Sequence, residues 1–72
     1  MKKVYRMKNL DCANCAAKME DGIRHLPGVI DAKINFMTMK FALEAEDASF
    51  DDVLAQAQKI CRKIEPDCEI LA

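Results

Sequence analysis

The chain has 72 residues, so it is expected to form one small domain (1–72) near the lower size limit for a self-sufficient hydrophobic core. Its residues are 51% hydrophobic and 32% charged, a balance typical of a soluble globular chain and not of a disordered one. A net charge of −1 and few aromatic residues give no drive toward nucleic acid, and no apolar run approaches the roughly 20 residues that span a bilayer.

The start of the chain and its four cysteines predict a reducing compartment. Met1-Lys2-Lys3 leads directly into an alternating pattern instead of the apolar core of a secretory signal. The chain is therefore expected to be cytoplasmic, where cysteines are free thiols or metal ligands more often than structural disulfides. No direct membrane contact is expected for this domain.

The first half of the chain predicts two strands around one helix. Apolar and polar side chains alternate over residues 4–10, as in a half-buried strand, and a loop follows over residues 9–14. From Cys15 onward, apolar side chains fall three and four residues apart, which predicts an amphipathic helix that ends at Leu26-Pro27-Gly28. Alternation over residues 29–36 predicts the second strand.

The second half predicts a hairpin over residues 37–40, a third strand over 41–45, a helix from 50 and a short last strand over 68–71. Ser49 and Asp52 resemble a capping box at the start of the second helix. The resulting order, β-α-β-β-α-β, predicts an α+β ferredoxin-like sandwich, with two helices on one face of a four-stranded antiparallel sheet. In that fold we expect Met37 and Met39, at the hairpin, to lie at the end of the sheet away from the loop after the first strand.

That loop contains Asp11-Cys12-Ala13-Asn14-Cys15, the segment that carries chemistry. Two cysteines three residues apart, where a loop opens into a helix, direct their sulfurs to one place and hold one soft metal ion or form one disulfide. A helix N-terminus also stabilises the thiolate that binds metal. Asp11 is either an oxygen ligand or a helix N-cap, a role that Asn14 could fill instead.

The donor types bear on which ion is preferred. Cu(I) is satisfied by two sulfurs, whereas Zn(II) accepts sulfur and oxygen together and prefers about four ligands. Cys12, Cys15 and Asp11 supply three, and Glu65, in the loop before the last strand, is a candidate fourth donor or a solvated charge. Cys61 and Cys68 are expected to be structural, because free cysteine is common in hydrophobic cores.

Three segments carry a resemblance to a known family: residues 10–18, residues 26–29 and residues 32–36. They resemble the heavy-metal-associated domain, which occurs as free metallochaperones and as N-terminal modules of metal-pumping P-type ATPases. Copper-type members usually have Gly-Met-x-Cys-x-x-Cys, but this chain has Asn9-Leu10-Asp11-Cys12 at the start of the motif. The Asp-Cys-x-x-Cys form resembles the modules of zinc, cadmium and lead exporters.

The resemblance implies a metal-binding module that is not an enzyme by itself. It implies Zn²⁺ or Cd²⁺, and also Pb²⁺, as the bound ion, delivered or sensed by ligand exchange with the cytosolic domains or the membrane pathway of the pump. A free-standing Cu⁺ chaperone of the same fold is the alternative, and a small thiol–disulfide protein is the third hypothesis. A monomer is expected, with a metal-bridged dimer as the other arrangement.

Overall fold

The computed structural model describes residues 1–71 and confirms the predicted order of elements. In chain order these are β1 (Lys2–Lys8), α1 (Ala13–Arg24), β2 (Val29–Asn35), β3 (Lys40–Ala45), α2 (Phe50–Ile64) and β4 (Glu69–Leu71). A single 3-10 turn, Asp47–Ser49, leads into α2. No helix in the described residues has both the length and the apolar character needed to cross a membrane.

The strands form one antiparallel sheet in the order β2-β3-β1-β4, as a ferredoxin-like sandwich requires. The strand β3 is paired on both sides, with β1 and with β2. Both helices pack on one face, where α1 contacts β2 and α2 contacts β4 and β3. The predicted fold is therefore confirmed.

The predicted position of the β2–β3 hairpin was wrong. Arg6, near the end of β1, lies opposite Lys40 at the start of β3, and the Met7 backbone N–H donates to the Met39 carbonyl at 2.8 Å. The reason is the crossover: α1 returns the chain to the edge where β1 began, so β2 runs in the same direction as β1. Both strands therefore end at the same edge, and the hairpin lies at the same end as the loop after β1.

The core lies between the sheet and the helices. Alternate residues of β3 (Phe41, Leu43 and Ala45) are completely buried, because their side chains all point to the helical face. The helices contribute the stripes that their spacing predicted, with Met19 and Ile23 fully buried in α1. The other buried residues are Met7, Leu10, Ala16, Ala32, Ile34, Phe50, Val53, Ala57, Cys61, Cys68 and Ile70.

The start of α2 differs from the predicted capping box. Ser49 is the N-cap residue, but its side chain makes no capping hydrogen bond. Its backbone is near-helical (φ −108°, ψ −2°), because the chain enters α2 through the 3-10 turn and not from an extended segment. A capping side chain normally projects from an extended backbone, so this geometry removes the capping interaction.

Gly28 holds the turn between α1 and β2. Its φ is +89°, and a Cβ at this position would lie 3.1 Å from the Ser49 Cβ atom. Its carbonyl accepts a hydrogen bond from the Glu46 N–H at 3.1 Å, which joins this turn to the segment before α2. The turn therefore needs a residue without a side chain for both its backbone angle and its space.

We expect Gly28→Ala to lower the free energy of unfolding by about 1–2 kcal/mol, because an L-residue is strained at positive φ. Gly22→Ala is the matched control. Gly22 lies inside α1, where alanine gains helix propensity, although its Cβ would lie 3.3 Å from the Ile60 Cγ2 atom. Urea unfolding followed by circular dichroism measures both. An unchanged midpoint for Gly28→Ala would contradict the assigned turn.

Candidate metal centre

The loop between β1 and α1 is held in place by Asn9 and Leu10. Asn9 has a left-handed backbone (φ +59°), a conformation that asparagine tolerates better than most residues, and it turns the chain out of the sheet. Its side-chain amide donates to the Asp67 carbonyl at 3.1 Å, while the Leu10 side chain is buried in the core. The loop is thereby tied to the α2–β4 connection on one side and to the core beneath it.

Cys12 is the N-cap of α1, the role that the sequence left open to Asp11 or Asn14. Its backbone is extended (φ −134°, ψ 118°), and its sulfur accepts a hydrogen bond from the Cys15 N–H at 3.2 Å. The Cys12 carbonyl accepts the first helical hydrogen bond, from the Ala16 N–H at 3.0 Å. A sulfur therefore stands where a capping oxygen usually stands, in the field of the helix N-terminus.

The thiols of Cys12 and Cys15 are half-buried and interact with each other. A hydrogen bond from the Cys15 thiol lowers the pKa of Cys12, with further help from the Cys15 and Asn14 N–H groups. The same hydrogen bond, together with desolvation, raises the pKa of Cys15 to about 11. The pair is therefore asymmetric: Cys12 is the first thiolate, and Cys15 retains its proton until a metal ion or base displaces it.

Glu65 is the carboxylate that lies beside this pair. It is the C-cap of α2, where the chain leaves the helix in an extended conformation (φ −134°). The Glu65 carboxylate raises the pKa of both Cys12 and Cys15, and its effect on the Cys15 thiol is the more direct of the two. The Glu65 charge therefore influences the pKa values of both thiols, whereas Asp11 is not among the causes of those shifts.

Asp11 is exposed, and its negative charge raises the pKa of Cys68. Within residues 1–71, no three or more His, Cys, Asp or Glu side chains are grouped at metal-binding spacing. Neither predicted oxygen donor, Asp11 or Glu65, is therefore assembled with Cys12 and Cys15 into a metal site in this conformation of residues 1–71. Ligation by Asp11 requires the loop to rotate its carboxylate toward the sulfurs.

The remaining two cysteines form a second, buried pair. Cys61, on α2, and Cys68, just before β4, are fully buried, as their apolar surroundings predicted. Burial raises the pKa of Cys61 to about 12 and also raises that of Cys68. Both thiols therefore remain protonated at neutral pH and belong to the core.

Comparison with known proteins identifies relatives of this chain. The family model for the heavy-metal-associated domain matches residues 4–67. A Staphylococcus aureus protein named "Probable cadmium-transporting ATPase" is 37% identical over 73 residues, covering 90% of this chain and 9% of the relative. The zinc/cadmium/lead-transporting P-type ATPase of Escherichia coli K12 is 32% identical over 59 residues, covering 82% of this chain and 8% of the relative. This chain thus spans less than a tenth of either relative.

Among solved structures, the CopZ metallochaperone superposes with a TM-score of 0.76, covering 99% of this chain and 100% of that one. Its sequence identity is only 13%, so the likeness concerns the fold. The sequence relatives are therefore informative about the chemistry of the site. The structural neighbour is informative only about the sheet and helices that support it.

The asymmetric pair predicts an order of alkylation by iodoacetamide, which reacts with thiolates. At about pH 8, with so little reagent that each molecule is alkylated at most once, Cys12 is expected to react before Cys15. The buried Cys61 and Cys68 are expected to react last. Because the pKa of Cys15 is raised to about 11, its rate should keep rising with pH up to that value. Peptide mass spectrometry after timed quenching gives the four rates.

The same alkylation rates test whether the carboxylate near Cys15 is that of Glu65 or that of Asp11. Glu65→Gln removes a negative charge beside Cys15, so the pKa of Cys15 should fall and its alkylation should accelerate. Asp11→Asn makes the same chemical change next to Cys12 in sequence, and is expected to affect Cys15 less. A larger acceleration with Asp11→Asn would show that Asp11, and not Glu65, faces the pair.

Proposed function

Because this chain belongs to the heavy-metal-associated domain family, we propose that it binds Zn²⁺, Cd²⁺ or Pb²⁺ and passes the ion on by ligand exchange. Cys12 and Cys15 are the sulfur ligands in this proposal, and Glu65 is the oxygen ligand. The observation that carries it is the half-buried thiol pair at the N-terminus of α1, where the Cys12 sulfur caps the helix. The Glu65 charge is close enough to raise the pKa of both thiols. The domain is a small metal-binding module and not an enzyme in itself.

The donor set favours borderline divalent ions over Cu⁺. Two thiolates and a carboxylate carry three negative charges, which suits a divalent ion that accepts sulfur and oxygen together. Cu⁺ is satisfied by the two sulfurs, so the carboxylate adds charge without a bond that this ion needs.

Asp11 is the second oxygen ligand of the proposal. Its exposed position leaves it free to rotate toward the sulfurs when a divalent ion neutralises the repulsion among the anionic ligands. With Cys12, Cys15 and Glu65 it would complete the four ligands that Zn²⁺ prefers. Without it, water or a ligand of the receiving protein would occupy the fourth position.

The position of the site suits transfer. Cys12, Cys15 and Glu65 are half-buried and Asp11 is exposed, so a partner's ligand can approach the ion before these ligands leave. A closed site of four buried cysteines would instead bind the ion permanently, as a structural metal site does. The accessible, mixed shell therefore supports delivery or sensing.

The sequence relatives support a pump as the setting. They are named as cadmium and zinc transporters of the P-type ATPase class, and this chain matches a small part of each. We propose that the chain is the N-terminal, cytoplasmic module of such a pump, and that the rest of the pump hydrolyses ATP. A free Cu⁺ chaperone is the alternative, and the Met37-Thr38-Met39 hairpin at the metal end of the sheet is the observation in its favour.

The first test is metal affinity, measured by competition with a chromophoric chelator. Cys12→Ser or Cys15→Ser should weaken Zn²⁺ and Cd²⁺ binding by roughly a hundredfold or more, about 2.7 kcal/mol. Glu65→Gln should weaken both by roughly tenfold, about 1.4 kcal/mol, and leave Cu⁺ affinity unchanged. Equal losses for Cu⁺ and Cd²⁺ would argue against Glu65 as a ligand of the divalent ion.

Matched variants complete this test. Cys61→Ser and Cys68→Ser change the same atom in the core pair, and should lower stability while leaving metal affinity nearly intact. Asp11→Asn should cost less affinity than Glu65→Gln, because the Glu65 charge and not the Asp11 charge acts on the thiol pKa values. If Asp11→Asn changes neither Zn²⁺ nor Cd²⁺ affinity, Asp11 is not a ligand, whereas Cys12, Cys15 and Glu65 remain in the proposal.

A further inference from the structure

The two outer strands of the sheet, β2 and β4, have backbone groups that turn away from the sheet. In the order β2-β3-β1-β4, each of these strands pairs on one side only. An open edge presents N–H and C=O groups to which a strand of another molecule can bind. The partners of these groups therefore decide whether a second copy of the chain can extend the sheet.

On β4, the side chain of Gln58 in α2 binds the outward backbone groups of Ile70. The Ile70 N–H donates to Gln58 Oε1 at 2.8 Å, and Gln58 Nε2 donates to the Ile70 carbonyl at 2.8 Å. Because alternate residues of an edge strand face its partner, Glu69 and Leu71 turn their backbone groups toward β1. Ile70 is therefore the residue of β4 that a neighbouring strand would pair with, and the amide of Gln58 already takes that place.

On β2, charged side chains bind the outward backbone groups of Ala32. Arg24 Nε, at the end of α1, donates to the Ala32 carbonyl at 2.7 Å, and Asp31 Oδ1 accepts from the Ala32 N–H at 3.0 Å. Arg24 Nη2 also lies 3.3 Å from Asp31 Oδ1 and 3.2 Å from Glu20 Oε1. Both groups of Ala32 are therefore held by side chains that also bind each other.

The rest of the β2 edge offers little to a neighbouring strand. A register shift between Val29 and Asp31 interrupts the start of the strand, a feature that blunts sheet edges. Over the regular part of the strand, alternation turns the backbone groups of Ala32 and Ile34 outward. With Ala32 occupied, an incoming strand would pair with Ile34 and not with two alternate residues.

We propose that Gln58 on the β4 edge and the Arg24–Asp31 pair on the β2 edge are edge guards, which keep a second copy of the chain from pairing with the sheet. Each guard supplies the donor and acceptor that a neighbouring strand would supply. None of these residues belongs to the β1–α1 loop, so the guards act whether or not the chain holds a metal ion. They leave the side chains, and not the backbone, as the means by which the domain contacts other molecules.

The strand that the guards exclude is β2 of a second copy. β2 has seven residues and β4 has three, so β2 offers the longer edge. In an antiparallel pairing centred on Ala32, Asp31 of each copy lies opposite Lys33 of the other, which places opposite charges across the contact. The buried side chains of Ala32 and Ile34 then lie on the helical face in both copies. The contact is the same for both copies, so it closes as a twofold dimer.

The test compares the association of an open-edge variant, Arg24→Ala/Gln58→Ala, with that of the wild-type chain. Sedimentation equilibrium over a range of concentrations gives the mass, and a metal chelator in all samples excludes metal-bridged dimers. The wild-type chain should remain a monomer, whereas the mass of the open-edge variant should rise toward that of a dimer. Lys18→Ala/Gln56→Ala is the matched control, because it removes one cation from α1 and one glutamine from α2 without freeing an edge, and it should remain a monomer.

Hydrogen–deuterium exchange of single amides locates the contact. In the open-edge variant at low concentration, the Ile70 N–H should exchange roughly tenfold faster than in the wild-type chain, because its acceptor is lost. At high concentration the Ile34 N–H of the variant should exchange roughly tenfold more slowly, because a second copy of β2 covers it. The control should show neither change.

Three results would overturn the edge guards: a monomeric open-edge variant at every concentration, equal association of the control, or association without slower exchange at Ile34. A wild-type dimer that survives the chelator and protects Ile34 would overturn them too. Circular dichroism and urea unfolding check that each variant folds. If the double variant does not fold, Arg24→Ala alone decides the matter, because it frees the β2 edge and leaves β4 bound to Gln58: its association through Ile34 supports the guards, and a monomer overturns them.

Discussion

The double pairing of β3 is the constraint on which the rest of the molecule depends. Its neighbours β1 and β2 are both antiparallel to it, so they run in the same direction and end at the same edge. The loop after β1 and the β2–β3 hairpin therefore lie together, and β4, which is antiparallel to β1, begins at that edge too. Side chains from three connections meet at one end of a small sheet, and the buried Phe41 and Leu43 of β3 hold this arrangement against the helices.

At that end, the start of α1 creates an asymmetric pair of thiols. The Cys12 sulfur caps the helix and accepts a hydrogen bond from the Cys15 N–H, which lowers the pKa of Cys12. Cys15 shares its proton with Cys12 and lies beside Glu65, which raises its pKa. One thiolate is thus available before the other, so in the proposed function the ion would bind Cys12 first and would then displace the proton of Cys15. The same order in reverse is a simple route for release.

The net charge of the chain is small, but its acidic and basic residues are separated in space. Glu65 lies near the thiols, while Arg6, Lys8 and Lys40 lie on the sheet face away from the helices and form no salt bridge within residues 1–71. Composition averages these regions to −1, and only the strand register shows that they are neighbours.

The sequence by itself determined the features that depend on near neighbours along the chain. The Cys12–Cys15 spacing at a loop–helix junction, the helical stripes and the alternation in the strands all follow from contacts between residues a few positions apart. Tertiary structure decided which distant residues meet. It placed the Glu65 charge close enough to raise the pKa of both Cys12 and Cys15, and it placed Met39 at the metal end instead of the opposite end. Glu65 directly precedes Pro66, where a helix must end, and that was the available signal of its position. These choices depend on strand direction and on the angle at which α2 ends, which are set by the packing of the whole core and not by any local pattern.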